Sequence, residues 1–315
     1  SHAFQRGLRG RAEAFGTKTG NFFSWRDEMY ALVDRLDVDL AYSLTLQACN
    51  EMLDAGYTSV GEFHYIHHAQ DRKWALDTAV IQAARDSGIR LTLLQTDYVT
   101  GGFSAPLSGG QIRFDTGEER EFLNQLDVLG SELSGDRESL GMVCHSVRAV
   151  PLDRFQRMRE EARSRNMVFH LHLEEVVQEI EDCREAHGKG PMRALLDMGI
   201  IDEHTTAVHC THSTREDLID FGVAGGIVCL CPLTEGNLGD GIPDVPAMRQ
   251  AGCRIAIGGD LNARIAPTEE LRMLEYEQRM KLQSRGIMQD ADGFSAPALF
   301  TCGTSHGANS LGLNS

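Results

Sequence analysis

An apolar run, Met167-Val168-Phe169, leads into His170, Leu171 and His172, then Leu173, and ends on Glu174 and Glu175. On a strand alternate side chains share a face, so His170 and His172 point the same way. A buried strand that closes on His-x-His-x-x-Glu sets imidazoles and an acid at one rim, where they could act as a metal ligand beside a proton shuttle. The alternative is a core strand whose polar residues are merely solvated at its exit. Taken alone, the stretch favours that alternative.

The elements around it change the balance. Strand-like runs occur at Thr58 to Phe63, Arg90 to Asp97, Gly141 to Ser146, Met167 to His172, Thr205 to Cys210, Gly226 to Cys231 and Cys253 to Gly258. Helical patterns separate them, among them Trp25 to Ala55, Trp74 to Arg85, Glu118 to Leu133, Leu152 to Arg165 and Glu269 to Leu282. Strict alternation of short apolar strands with helices is the βα repeat of a parallel α/β barrel. One more strand, ending at His2, makes the count of a (β/α)8 TIM barrel over residues 1–315, read as a single catalytic domain. No GxGxxG or P-loop stands at a strand–helix junction to favour an open doubly wound sheet. The Gly-rich stretch from Gly101 to Gly110 reads as a long functional loop.

In such a barrel, chemistry sits at the C-terminal ends of the strands. Those ends carry His2, His64 and Tyr65, Asp97, His145, His172 and Glu175, His209, and Asp260. One buried histidine is usually a satisfied core group. Several on one rim with an aspartate fit a metal site better. Imidazole and carboxylate donors without a cysteine cluster suit Zn²⁺ or Fe²⁺. No lysine lies near Cys144-His145-Ser146 to bridge two ions as a carbamate, so one metal per chain is expected.

The chain has 315 residues and a net charge of −16, with 46 acidic against 30 basic residues. That balance argues against nucleic acid and anionic membrane as partners. No apolar run approaches the roughly 18 residues of a membrane span. Its 8 cysteines are scattered without a CxxC pair, mostly inside apolar runs, which reads as a reduced, cytoplasmic protein. With only four lysines (Lys18, Lys73, Lys189, Lys281), an anionic small molecule must be met by local arginines. A second copy of the chain is a candidate partner. Neither end reads as a natural terminus, since Ser1-His2-Ala3-Phe4-Gln5 looks like the middle of a motif.

Several segments carry a more specific pattern: Ser1 to Gln5, Trp25-Arg26, Ala55 to Val60, Glu62 to His68, His145-Ser146-Val147-Arg148, His170 to Glu175, Val208 to His212, and Glu269 to Tyr276. On these the chain resembles the amidohydrolase superfamily and, within it, the formimidoylglutamate deiminases. The resemblance implies a metal-dependent hydrolase that turns N-formimino-L-glutamate into N-formyl-L-glutamate and ammonia, in histidine degradation. It implies metal ligands at His2, His172 and Asp260, with a further histidine just before Ser1. Glu175 would be the proton shuttle. His209 would hold the water and the reacting group, and Asp260 or His209 would take the water's proton. Gln5, Arg26, Tyr65, His145 and Arg148, with His209, would hold a dicarboxylate substrate. It also implies a small β-domain built from both chain ends, which this chain lacks or carries in reduced form.

The chemistry suits those residue types. A bound metal supplies hydroxide near neutral pH, an acid delivers a proton to the departing nitrogen, and paired guanidinium groups grip two carboxylates. Leu261-Asn262-Ala263-Arg264 departs from the Ser-rich run expected after Asp260, which opens the substrate's identity. Two other readings follow: a deaminase of guanine- or triazine-like rings, and a catalytically impaired relative that only binds. Other polar residues have plainer expectations. Arg26 alone could be a surface ion pair. His170 lies one layer deeper than His172, and His67, His68 and His212 read as loop or supporting groups. His187, His204 and His306 read as solvent-side, and Glu174 as solvent-facing or supporting. Glu235 and Asp240 are either rim residues or part of a solvated turn.

Overall fold

A computed structural model describes residues 1–12, 22–133 and 136–313. The chain forms two compact units, Ser1–Arg154 with Asp260–Ile265, and Phe155–Gly259 with Ala266–Ser315. The first carries strands β1 (Ser59–His64), β2 (Arg90–Asp97) and β3 (Glu138–Cys144). The second carries β4 (Phe169–Leu173), β5 (Thr205–His209), β6 (Ile227–Leu230) and β7 (Arg254–Ile257). In the first unit β2 pairs with both β1 and β3, in the second β5 pairs with β4 and β6, and β6 with β7, always in parallel. β4 and β5 are buried along their whole length and β2 all but its first residue, while β1, β3 and β7 are partly buried at their starts. This is what near-continuous apolar runs predict for parallel strands covered on both faces.

In the first unit, the helices Val38–Ala55 and Ala75–Ser87 pack Ala48, Met52, Val80, Ile81 and Ala84 against Val60, Leu91 and Leu93 of the strands. Each of the larger ones, such as Met52, Ile81 and Leu93, contributes on the order of 1.5–3 kcal/mol of burial. The helical pattern expected from Trp25 to Ala55 is two helices, Phe22–Val33 and Val38–Ala55. The break is local chemistry: the Asp37 side chain accepts from the Leu40 amide, which starts a new helix. Arg113 then satisfies the carbonyls left at the end of the first helix, donating to Val33 and Leu36. The Gly101 to Gly110 loop makes one small bridge between Gly102 and Ala105 and runs into a 3₁₀ turn, Gly109–Phe114.

Ser1 and His2 are bonded on both sides, as a strand end would be. The Ser1 amino group donates to Gly61 O, the Phe63 amide donates to Ser1 O, and the His2 amide donates to Asp260 O. In the second unit Arg159 is fully buried, stacked over Phe169 and bonded to Asp202 and to Ile200 O. No helix among the described residues is long and apolar enough to cross a membrane.

Candidate active site

Seven of the sequence candidates fall in the first unit: His2, Gln5, Arg26, Tyr65, His145, Arg148 and Asp260. His2 is buried, with Nδ1 2.9 Å from the carbonyl oxygen of Phe63. A carbonyl only accepts, so Nδ1 carries a proton and donates it there, and Nε2 is the nitrogen turned away. That Nε2 lies 3.1 Å from Oδ1 of buried Asp260. Two lone-pair donors facing each other in a buried place need a proton or a cation between them. Ligands about 2.0–2.1 Å from a tetrahedral zinc lie about 3.3 Å apart, so the His2 and Asp260 atoms fit two corners of such a site. Asp260 reaches this position with φ of 45°, a left-handed backbone that non-glycine residues rarely adopt without a compensating role.

Around His2 the same unit builds a polar–aromatic wall. Gln5 Nε2 donates to Tyr65 Oη at 2.7 Å, and the Gln5 Oε1 atom is buried with no hydrogen-bond partner among the described residues. The Tyr65 ring meets His2 at 5.0 Å and His145 at 5.3 Å, and Tyr98 meets His145 at 4.7 Å, all edge to face. Burial holds the Tyr65 hydroxyl well above its ordinary range, against the Gln5 amide that lowers it. Burial also holds the His145 imidazole well below its ordinary range, helped by Arg148 and His2, so it is neutral at physiological pH. Tyr30 is pushed up to about 12 by burial and then Tyr98, while Arg26 and Arg148 both pull it down. The same two arginines lower Tyr98 against its burial. Both guanidinium groups therefore act on Tyr30 and Tyr98, and Arg148 acts on His145 as well.

Tyr30, Tyr98 and Gln111 escaped the sequence reading. Tyr98 directly follows the β2 exit at Asp97, and Gln111 donates to its hydroxyl at 3.3 Å from the turn after the Gly-rich loop. The one-residue offset from Asp97 was the available signal. Asp97 itself is not a rim residue: its carboxylate is gripped by Arg154 Nε and Nη2 at 2.7 Å each and by Thr116. His64 also leaves the site, with Nε2 2.9 Å from Oδ1 of buried Asp77, which is shared with His67 Nδ1 at 3.0 Å. His67 is locked further by Thr96 O, and His68 by Asp115 O and the Trp74 amide.

The second unit holds the other three candidates. The rings of His172 and His209 stack at 5.5 Å, with planes 17° apart. His209 Nε2 lies 3.7 Å from Glu175 Oε1, and its Nδ1 lies 3.3 Å from Glu235 Oε1. All four side chains are buried. His209 ends β5 with φ of 75°, so the backbone leaves strand geometry at the residue whose ring must be aimed. An imidazole between two carboxylates can take a proton at one nitrogen while the other stays bonded. His170 is elsewhere, with Nε2 2.7 Å from Ser310 O, and burial pushes it down to about 4. Glu174 is not solvent-facing. It is buried and accepts from the Met192 amide at 3.0 Å, which fixes the start of the helix Pro191–Asp197. His306 is not a solvent-side group either, since its Nδ1 lies 3.1 Å from Ile255 O.

The family model for the amidohydrolase family matches residues 1–315. The chain belongs to the amidohydrolase family. It is 35% identical over 99% of its length to formimidoylglutamate deiminase of Pseudomonas aeruginosa, covering 70% of that enzyme. It is 27% identical over its whole length to a 5-methylthioadenosine/S-adenosylhomocysteine deaminase of Symbiobacterium thermophilum, covering 66% of it. A crystal structure of an amidohydrolase from Brucella melitensis aligns with a TM-score of 0.92 and 35% identity, over 99% of this chain and 70% of that one. The fold class is thereby that of the amidohydrolase (β/α) barrel, as the alternation of elements predicted. Within the family the chain is a hydrolase of the deaminase kind, acting on C–N bonds.

Proposed function

We propose that this amidohydrolase hydrolyses N-formimino-L-glutamate to N-formyl-L-glutamate and ammonia, the reaction that belongs to histidine degradation. The observation that carries the reading is that Arg26 and Arg148 both lower Tyr30 and Tyr98 against their burial, with Arg148 also acting on His145. Two guanidinium groups on a wall of hydroxyls and imidazole suit a small dicarboxylate, in a chain whose net charge of −16 otherwise repels one.

The proposed metal ligands are His2, His172 and Asp260, and the donor set suits one zinc ion, with iron(II) the other fitting metal. When bound, the ion makes water acidic enough to attack at neutral pH. Arg26 and Arg148 hold the two carboxylates. Gln5, oriented by Tyr65, presents its buried Oε1 to an N–H of the substrate. The water's oxygen bonds to the formimino carbon, and the bond from that carbon to the terminal nitrogen breaks. Asp260 or His209 takes one proton from the water and Glu175 passes the other, so that the nitrogen receives both of the water's protons and leaves as ammonia while the carbon keeps the oxygen as the formyl carbonyl.

The test is ammonia release from N-formimino-L-glutamate by the zinc-loaded protein, run beside adenosine- and guanine-type substrates. The edge-to-face rings of Tyr65, Tyr98 and Phe114 favour a second reading, deamination of a planar ring. Turnover of a ring substrate, with none of the dicarboxylate, would replace the first reading by the second. A protein that takes up no metal and turns over neither is the binding-only relative.

A further inference from the structure

We propose that Glu235 is the positioning residue of His209, fixing the imidazole with its proton on Nδ1 and its Nε2 towards Glu175. The inference rests on the reading of His209 as a group at the reacting centre, and adds a residue that the reading does not contain. Glu235 lies in the short helix Pro232–Leu238 after β6. It is buried, and its Oε1 accepts from the Cys231 amide at 3.0 Å while lying 3.3 Å from His209 Nδ1. Its Oε2 is buried with no hydrogen-bond partner among the described residues.

A carboxylate that merely tied down the start of its own helix would need only the Cys231 amide and could face water. Burying it costs several kcal/mol unless a charged or protonated partner repays the desolvation. His209 Nδ1 is that partner. The helix is held from its other side as well, because the Leu233 amide donates to Glu270 Oε2 at 2.9 Å. The carboxylate is thus mounted on a braced element, as a group that must set a ring's angle should be. Glu277 sits beside it. Burial, and then Glu235, push the Glu277 carboxyl up to about 8, so at neutral pH it keeps its proton and adds no second charge near Glu235. A carboxylate on one imidazole nitrogen fixes the tautomer and supports a proton on the other.

Two variants separate the orienting role from a structural one. Glu235→Gln keeps an oxygen that accepts from both Cys231 N and His209 Nδ1, and loses only the charge. Glu235→Ala loses both contacts. On N-formimino-L-glutamate, Glu235→Ala should lower kcat by about 100-fold with KM nearly unchanged, and Glu235→Gln should recover most of it, to within about tenfold of the parent. The readout that needs no turnover is the ¹⁵N spectrum of histidine-labelled protein, with His209 assigned by its own substitution to Gln. The parent and Glu235→Gln should show His209 as the Nδ1–H form, with the Nδ1 proton further upfield in Glu235→Gln. Glu235→Ala should show a mixture of tautomers. A folded Glu235→Ala protein with parental kcat and an unchanged His209 spectrum would overturn the proposal. If Glu235→Ala does not fold, an unmoved Nδ1 proton in Glu235→Gln does the same. Absence of any turnover by the parent would strike the substrate reading alone and leave the spectra to decide this one.

Discussion

Replacing Glu277 by Gln should change how stability depends on pH, with a sign and size that follow from its surroundings. In the folded chain burial and Glu235 raise this carboxyl from 4.5 to about 8. Between those values the native state holds a proton that the unfolded chain releases. Stability then falls by up to about 1.36 kcal/mol per pH unit as pH rises. Its contribution is fully present below about pH 4.5 and is lost as pH approaches 8. The full span is an upper bound of about 5 kcal/mol, and relaxation and water entry around a buried carboxyl bring the expected value nearer to 2 kcal/mol. Glutamine has the same shape and no proton to lose. Urea unfolding of both proteins at pH 5 and pH 8.5 measures the effect directly. The variant should have parental stability or slightly less at pH 5, and be about 2 kcal/mol more stable at pH 8.5. A difference between the two proteins that does not change with pH would refute the reasoning, because it would mean that Glu277 ionises alike in both states.

Three further outcomes follow from single contacts. Arg148→Ala should lower kcat/KM for the dicarboxylate by about 10- to 100-fold, the value of a charge-assisted grip, mostly through KM. Unchanged steady-state constants would remove Arg148 from the substrate. Asp77→Asn should cost about 3–5 kcal/mol in urea unfolding, because buried Asp77 accepts from His64, His67, Gln95 and Gln125. Burial alone would raise its carboxyl, but His67 and His64 hold it below its ordinary range. Its stabilising share is therefore present above about pH 4 and is lost on acidification, and a parental acid-unfolding curve for the variant would contradict this. Arg159→Met should be measurably less stable, since it removes the buried bonds to Asp202 and the Ile200 carbonyl and the stack on Phe169, and leaves Asp202 to the more exposed Arg163. A calorimetric Tm equal to the parent's would show that the methionine side chain packs as well as the pair.

The fold was legible because parallel strands buried on both faces must be apolar throughout, and β2, β4 and β5 are buried nearly end to end. Periodicity could not show the break between Val33 and Val38. That break depends on Asp37 bonding the Leu40 amide and on Arg113, about eighty positions later, reaching the carbonyls of Val33 and Leu36. The same limit sorted the strand-end residues poorly. Asp97 looked like a rim acid until Arg154, far along the chain, was seen to grip both its oxygens. Glu235 read equally well as a solvated turn, because nothing local tells that the His209 ring stands 3.3 Å away.

A deeper reason lies in the backbone at the exits themselves. Period-two alternation tells which way a side chain points only while the chain keeps strand geometry. Within β4 the chain keeps strand geometry, with His170 on the Ser310 carbonyl and His172 stacked on His209. At Glu174, His209, Cys210, Asp260 and Asn262 the chain turns left-handed, with φ between 45° and 75°. None of these is glycine, so each costs on the order of 1 kcal/mol or more. Alternation fails at these positions, and two of them are the residues whose aim the proposed chemistry needs most. The cost also shows what sets that aim. At His209 the left-handed turn sends the ring between Glu175 and Glu235. At Asp260 it presents the carboxylate to His2, while the Asp260 carbonyl accepts from the His2 amide. A glycine at either position would relieve the strain and lose the side chain. A β-branched residue would keep a side chain and refuse the turn. Histidine and aspartate are among the few residues that tolerate this backbone and carry a lone pair to its far side, so the demands of the backbone and of the chemistry select the same residue types.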